Sequence, residues 1–395
     1  MYALLSQTRR VSPSPGRLAA FWAAVAAGTL LRLWVATLGH NFDVESYQLV
    51  GHLVVAGKNV YANTPRYNYG PVWFAVLGAL KWLQLRFGSD SVQTFHLIVA
   101  VILTGVDIAT AWLLVRRVSI GAGAAFMLCP SIILLTGFHS QFDNIAVLFA
   151  LLSWTLVADP LDRQRMPRVL AAAGLLGLSL ATKHLLIFFP LWVLLWPRFG
   201  SLARRAAFAA GAGGVFVAGF IPFALSASAV AGIRHSVIGY QSDASDALLA
   251  PLVRLLVPTS VVDAMFGWMP MSSGIKVVWL IAMVSVGVLT MRRAPRDAVY
   301  YYLIALVGLS PAMAAQYLAI PGVMLAARWR DPLSWIYVAV SVALLLQIDV
   351  NIGTLAPLAP VHQWLRAIGF TYANGQAWLL VMLVAWLYKA PHEQT

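Results

Sequence analysis

The stretch NFDVESY at 41–47 carries Asp43 and Glu45, two of only 14 acidic residues in a chain of 395. It follows directly on an apolar segment near 18–38. Ionisable groups at the edge of a membrane-length segment are costly and mark functional candidates. The chemistry open to them is general-base catalysis. An alcohol is a weak nucleophile until a positioned base takes its proton, so Asp43 would be the base and Glu45 an assisting carboxylate. The plain alternative makes Asp43 the N-cap of a helix from about Val44 to Ala56, stopped by Gly57. That accounts for Asp43 alone, and not for Glu45 or the neighbouring His40 and Asn41.

Further candidates follow in chain order. GKNVYANTPRYNYGPVWF (57–74) holds Arg66, whose planar guanidinium suits phosphate oxygens at headgroup level. Its aromatic residues Tyr61, Tyr67, Tyr69 and Trp73 could form a sugar platform or a belt at the membrane surface, and Trp73 reads as belt. FHSQFDN (138–144) groups His139, Gln141 and Asp143, which could orient sugar hydroxyls; alternatively Asp143 caps a helix opening near Asn144. Lys183 and His184 in ATKHLL (181–186) could neutralise a departing phosphate, or Lys183 could snorkel to the interface. Arg234 and His235 form a further cationic pair, and Gln316 could bond a sugar or a neighbouring helix. Asp107 lies in mid-span and reads as the structural partner of Arg32.

The elements that position these residues must be membrane helices. The chain is 61% hydrophobic and 10% charged, against about 25% charged in soluble domains. It reads as one polytopic all-α membrane domain over 1–395, with no room for a separate soluble domain. The net charge of +13 does not point to nucleic acid, because the basic residues sit in short loops and act as topology signals. The single cysteine, Cys129, excludes a disulfide within the chain. Residues 1–17 are basic, lack a signal-cleavage pattern and read as a cytoplasmic tail.

Placing every basic cluster inside fixes the register. The clusters are Arg9/Arg10/Arg17, Arg116/Arg117, Arg163/Arg165/Arg168, Arg198/Arg204/Arg205, Arg292/Arg293/Arg296, Arg328/Arg330 and Lys389. Spans are then expected near 18–38, 91–115, 118–137, 143–158, 168–183, 185–197, 205–226, 274–291, 298–311, 317–328, 333–348 and 376–389. This makes about twelve spans, with long outer segments at 39–90, 227–273 and 349–375. The segment 71–87 cannot then span and is expected to lie in the outer interface. Asp43, Glu45, Arg66, His139, Gln141, Asp143, Lys183, His184, Arg234, His235 and Gln316 all fall on the outer side, which argues for one outward-facing site.

The ordered series Asp43-Val44-Glu45-Ser46-Tyr47, Gly57-Lys58-Asn59-Val60-Tyr61 and Arg66-Tyr67-Asn68-Tyr69-Gly70-Pro71 resembles the first luminal loop of GT-C fold glycosyltransferases. These use polyprenyl-phosphate sugars; the chain is similar to the GPI-assembly mannosyltransferase and the N-glycan precursor glucosyltransferases. The similarity continues through Val106 to Thr110, through 129–144, through Ala181-Thr182-Lys183-His184 before Pro190, and through Ser310 to Pro321 with Gln316-Tyr317. It covers most of 30–325. Glu45 replaces the family's second Asp, and Gly70 stands where a second Pro is frequent; both departures blur the sugar.

What the resemblance implies is an inverting hexosyltransferase, with mannose the first choice. It would act on the extracytoplasmic (periplasmic or luminal) face of a bacterial plasma membrane, in cell-envelope glycan biosynthesis. The partners would be a polyprenyl-phosphate sugar donor, a glycan or glycolipid acceptor and membrane lipid, without nucleic acid. Asp43 and Glu45 are the catalytic candidates. Arg66, Lys183, His184 and Arg234 would hold the donor phosphate. His139, Gln141, Asp143, Gln316 and Tyr67 would orient sugar or acceptor. No cofactor is expected. A divalent metal on Asp43, Glu45, His139 and Asp143 is the less favoured option, since these residues lack a tight local spacing and a monophosphate can be held by cations alone. The competing function is a transporter or flippase for a lipid-linked or anionic solute, which would place polar groups at mid-membrane and on both sides.

Overall fold

The computed structural model describes residues 14–157, 160–239, 271–292, 298–310, 315–348, 350–353, 355–370, 377–378 and 380–385. The expectations placed on the tail before Ser14, on most of 227–273 and on Lys389 lie outside the described residues. Within them the fold is helical and contains no strand, as the composition leads one to expect.

The first twelve helices are α1 (Pro15–Thr37), α2 (Phe42–Val55), α3 (Val60–Asn63), α4 (Pro71–Arg86), α5 (Val92–Arg117), α6 (Ile120–Met127), α7 (Pro130–Gly137), α8 (Asp143–Leu156), α9 (Met166–Thr182), α10 (Phe189–Leu195), α11 (Leu202–Phe220) and α12 (Ala227–Gly232). Helices α1, α5, α6 and α7 pack together, α8 lies on α5 and α9, and α9 continues onto α11. Among the described residues three helical stretches, Pro15–Thr37, Val92–Arg117 and Leu202–Phe223, are long and apolar enough to cross a membrane. The number is up to 5 if each bent pair, α6 with α7 and Met166–Thr182 with His184–Leu195, makes one span. Shorter apolar helices follow, among them Asp143–Leu156, Ala298–Gly308 and Pro332–Gln347. The expected count of twelve therefore exceeds what helix length and composition establish.

The bends fall where the sequence breaks the backbone ladder. Pro130 opens α7 after the break at Leu128 and Cys129, giving a 50° turn against α6. Lys183 is extended between α9 and a 3₁₀ turn at His184–Leu186, and the chain turns by 113° there. The turn at ATKHLL was expected; the bend at Pro130 falls inside the stretch 118–137, which was expected as one unbroken span.

α2 and α4 pack as a helical pair in the segment between α1 and α5. Gly57 ends α2 with φ +68, and the Gly57 and Lys58 amides donate back to the Val54 and Leu53 carbonyls at 2.9 and 2.8 Å. This is the left-handed stop that favours glycine. At 16 residues, α4 is shorter than an upright bilayer crossing takes.

The base of this pair is held by an ionic knot. The buried Lys81 donates to the Asp90 carboxylate and, at 2.8 Å, to Gln84 Oε1; His52 Nε2 lies 3.1 Å from the same carboxylate. The hydrogen bond from Lys81 holds Asp90 below the usual carboxylate range against desolvation, with the charges of Lys81 and His52 adding to the lowering. A depressed folded pKa contributes stability above the unfolded value, about 3.9, and loses it as pH falls through the folded value. The stability gap between wild type and Asp90→Asn should be present at neutral pH and close under acid, which thermal unfolding at stepped pH will measure.

Candidate active site

Asp43 is not the N-cap that the plain alternative made it. The cap is Asn41, and Asp43 sits one residue inside the first turn of α2. Its Oδ2 accepts from Gln141 Nε2 at 2.9 Å and from Asn41 Nδ2 at 3.3 Å, and Asn41 Nδ2 also lies 2.7 Å from His139 Nδ1. Asp43 is thus tied by side-chain amides to the loop between α7 and α8. Among the described residues no cation pairs with it.

Glu45 does not join it. Two residues along a helix face about opposite sides, and Glu45 lies 4.0 Å from Arg66 Nη2 on the exposed flank. Arg66 also donates from Nε to Ser46 Oγ at 3.1 Å and covers the Phe42 ring at 4.0 Å. About a third of its side chain stays exposed, so the guanidinium is reachable from outside.

Asp143 and Lys183 form a buried pair. Lys183 Nζ donates to Asp143 Oδ2 at 2.8 Å, with the two side chains 4% and 1% exposed. Neither the cap at Asp143 nor the snorkelling of Lys183 describes this. The ammonium is boxed by the rings of Tyr69, Phe142 and Tyr317, with centroids 5.1, 5.0 and 5.4 Å away. A cation over aromatic faces in a dry site is held firmly. His184 is half-buried in the adjoining turn.

Trp73 corrects the belt expectation. It is fully buried and stacks on Phe142 at 4.3 Å with 10° between planes. Tyr47 meets both rings edge-on at 5.5 and 5.9 Å. Tyr67 is also buried, and its hydroxyl donates to Gly70 O at 2.5 Å and accepts from the Phe74 amide at 2.9 Å. With both bonds made inside the fold, the Tyr67 hydroxyl is committed to the start of α4. Gly70 is obligatory at that start, since a Cβ there would lie 1.9 Å from the Ala181 carbonyl oxygen. A backbone oxygen moves only with its chain, so Gly70→Ala should cost about 1–3 kcal/mol and shift Lys183 with it. A lower thermal midpoint will report the first effect.

Polar atoms without partners gather around these residues. Tyr47 Oη, Trp73 Nε1, Asn41 Oδ1, Gln141 Oε1 and Asp143 Oδ1 are buried and bond nothing among the described residues. Buried polar groups are almost always satisfied, and exceptions ask for a ligand, a water or a catalytic role. Tyr47 stands one turn after Asp43 on the same face of α2. Burial pushes its hydroxyl up, and the charges of Tyr69, Asp43 and Asp143 push the same way. Tyr47 and Trp73 are the donors that sequence reasoning missed; the Asp43 to Tyr47 spacing of one helical turn was the available signal.

Arg234 does not join the centre. It lies exposed in the π-helical turn Ile233–Ile238, beyond Gly232, which packs on the Tyr61 carbonyl. Gln316 has its backbone in the 3₁₀ turn Ala315–Ala319, and its side chain is outside the described residues. No three His, Cys, Asp or Glu side chains converge as metal ligands among the described residues. The chain matches no family model, no curated protein and no solved structure.

Proposed function

We propose that the chain is an inverting glycosyltransferase of the GT-C fold that takes a hexose from a polyprenyl-phosphate donor. The observation that carries this is Asp43: a carboxylate oriented by two amides and, among the described residues, without a cation, beside buried donors and acceptors that have no partner there. Such a group keeps its lone pairs for a proton. The acceptor hydroxyl gives its proton to Asp43, and its oxygen attacks the anomeric carbon. The bond from that carbon to the phosphate oxygen breaks on the opposite face. The electron pair leaves with polyprenyl phosphate.

Arg66 is the reachable cation for that phosphate, and the Lys183–Asp143 pair keeps the inner wall near neutral, which suits an uncharged sugar. Tyr47, Trp73, Gln141 and Asp143 offer two donors and two acceptors to its hydroxyls. The site faces outward, with about twelve spans and basic loops inside, and mannose is the first choice by resemblance. Purified protein offered a panel of polyprenyl-phosphate hexoses, read as polyprenyl phosphate released, tests this; no release from any member ends it. Turnover should persist in a strong chelator, because Glu45 faces Arg66 and not Asp43.

A transporter or flippase is the second reading. It is favoured by the bent pair that turns at Lys183, since broken helices line solute sites in transporters. Movement of a lipid-linked sugar across liposomes without sugar transfer would select it.

A further inference from the structure

Asp107 does more than neutralise Arg32. Arg32 Nε donates to Asp107 Oδ2 at 2.9 Å, and both side chains are fully buried. That pair alone would satisfy a charge placed in mid-span. Yet Oδ2 also accepts from Thr136 Oγ1 at 2.9 Å, and Oδ1 accepts from Asn144 Nδ2 at 2.6 Å. Thr136 closes α7 and Asn144 opens α8, so one carboxylate holds both ends of the loop that carries His139 and Gln141 and runs into Asp143. Arg32 anchors the other side, donating from Nη1 to the Met127 carbonyl at 2.7 Å, where α6 ends.

The loop has a second tie to the same helix. Ser140 is the non-glycine residue with positive φ, at 50°, among the described residues. Its Oγ lies 2.9 Å from His96 Nδ1. A left-handed non-glycine backbone persists only where its surroundings enforce it, and such residues cluster at functional sites. His96 and Asp107 stand three turns apart on one face of α5, about 16 Å at 1.5 Å per residue. α5 therefore holds the loop at its tip and at both its ends.

We infer that Asp107 and His96 are positioning residues, which set the α7–α8 loop so that Gln141 meets Asp43 and Asp143 meets Lys183. The inference rests on the proposal that this loop serves sugar transfer. A cluster needed only for packing would not require donors from both sides of one loop, nor a left-handed serine at its tip. Small displacements of a positioning group cost up to about 100-fold in rate.

The test pairs Thr136→Val, which keeps shape and loses the hydroxyl, with Thr136→Ser, which keeps the hydroxyl. The serine variant should turn over like wild type. The valine variant should lose roughly tenfold to 100-fold in turnover at unchanged donor KM. In hydrogen exchange the Gln141 amide, bonded to the Leu135 carbonyl at 3.2 Å, should open in the valine variant while α5 and α8 stay protected. Ser140→Gly, which accepts the left-handed backbone but drops the His96 tie, should act in the same direction. Equal behaviour of the valine and serine variants, or loosening spread through α5 and α8, would overturn the inference. If wild type transfers no hexose, the proposed function fails; exchange at 138–142 in the two Thr136 variants still decides the clamp.

Discussion

Asp43→Asn should fold like wild type and lose hexose transfer by about 10²–10⁴, the range a general base supplies. The amide that replaces the carboxylate still offers an oxygen to Gln141 and Asn41, so the loop keeps its tether. What disappears is the capacity to take a proton from the acceptor hydroxyl. The measurement is polyprenyl phosphate released per minute at saturating donor, alongside thermal unfolding in the same detergent. Turnover near wild type would remove Asp43 from the chemistry. Glu45→Gln is the matched control. Glu45 faces Arg66 on the exposed flank, so its loss should leave turnover largely intact and weaken donor binding at most.

Lys183→Met should be the most destabilising single change at the site. It leaves the Asp143 carboxylate buried beside aromatic rings without its cation. Breaking a buried pair by removing one partner costs about 3–5 kcal/mol. The double variant Asp143→Asn with Lys183→Met removes both charges and should recover most of that loss. Thermal midpoints of the single and double variants check this. If the double variant folds and releases polyprenyl phosphate at the wild-type rate, Lys183 has no part in holding the donor.

The sequence made some of this legible through cost. A charge in an apolar run must find a partner, so Arg32 and Asp107 could be paired across 75 residues, and they are. Gly57 announced the end of α2, and the motif ATKHLL announced a turn. The direction of Glu45 was not legible, because it depends on where the helix begins. With α2 starting at Phe42, two residues earlier than expected, Asp43 and Glu45 are committed to different faces. Trp73 looked like a surface aromatic because aromatic residues next to a span usually are, and Tyr67 looked like a sugar contact. α4 instead turns Trp73 inward onto Phe142, and the loop before it seats Tyr67 against Phe74. His96 gave no signal by itself; a lone histidine in an apolar helix becomes informative only once Ser140 is seen opposite it.

α4 grips both halves of the polar centre, with Trp73 stacked on Phe142 and Gly70 seated on the Ala181 carbonyl beside Lys183. Were α4 to lie at the headgroup level, as the sequence leads one to expect, it would feel lateral pressure and lipid packing directly. Any tilt imposed on α4 by the surrounding bilayer must reach Phe142 and Ala181 together, since neither contact has slack. On that placement the thickness and composition of the host membrane would be inputs to the alignment of Asp143 and Lys183, and the proposed turnover should differ between thin and thick lipid discs even where detergent activity does not.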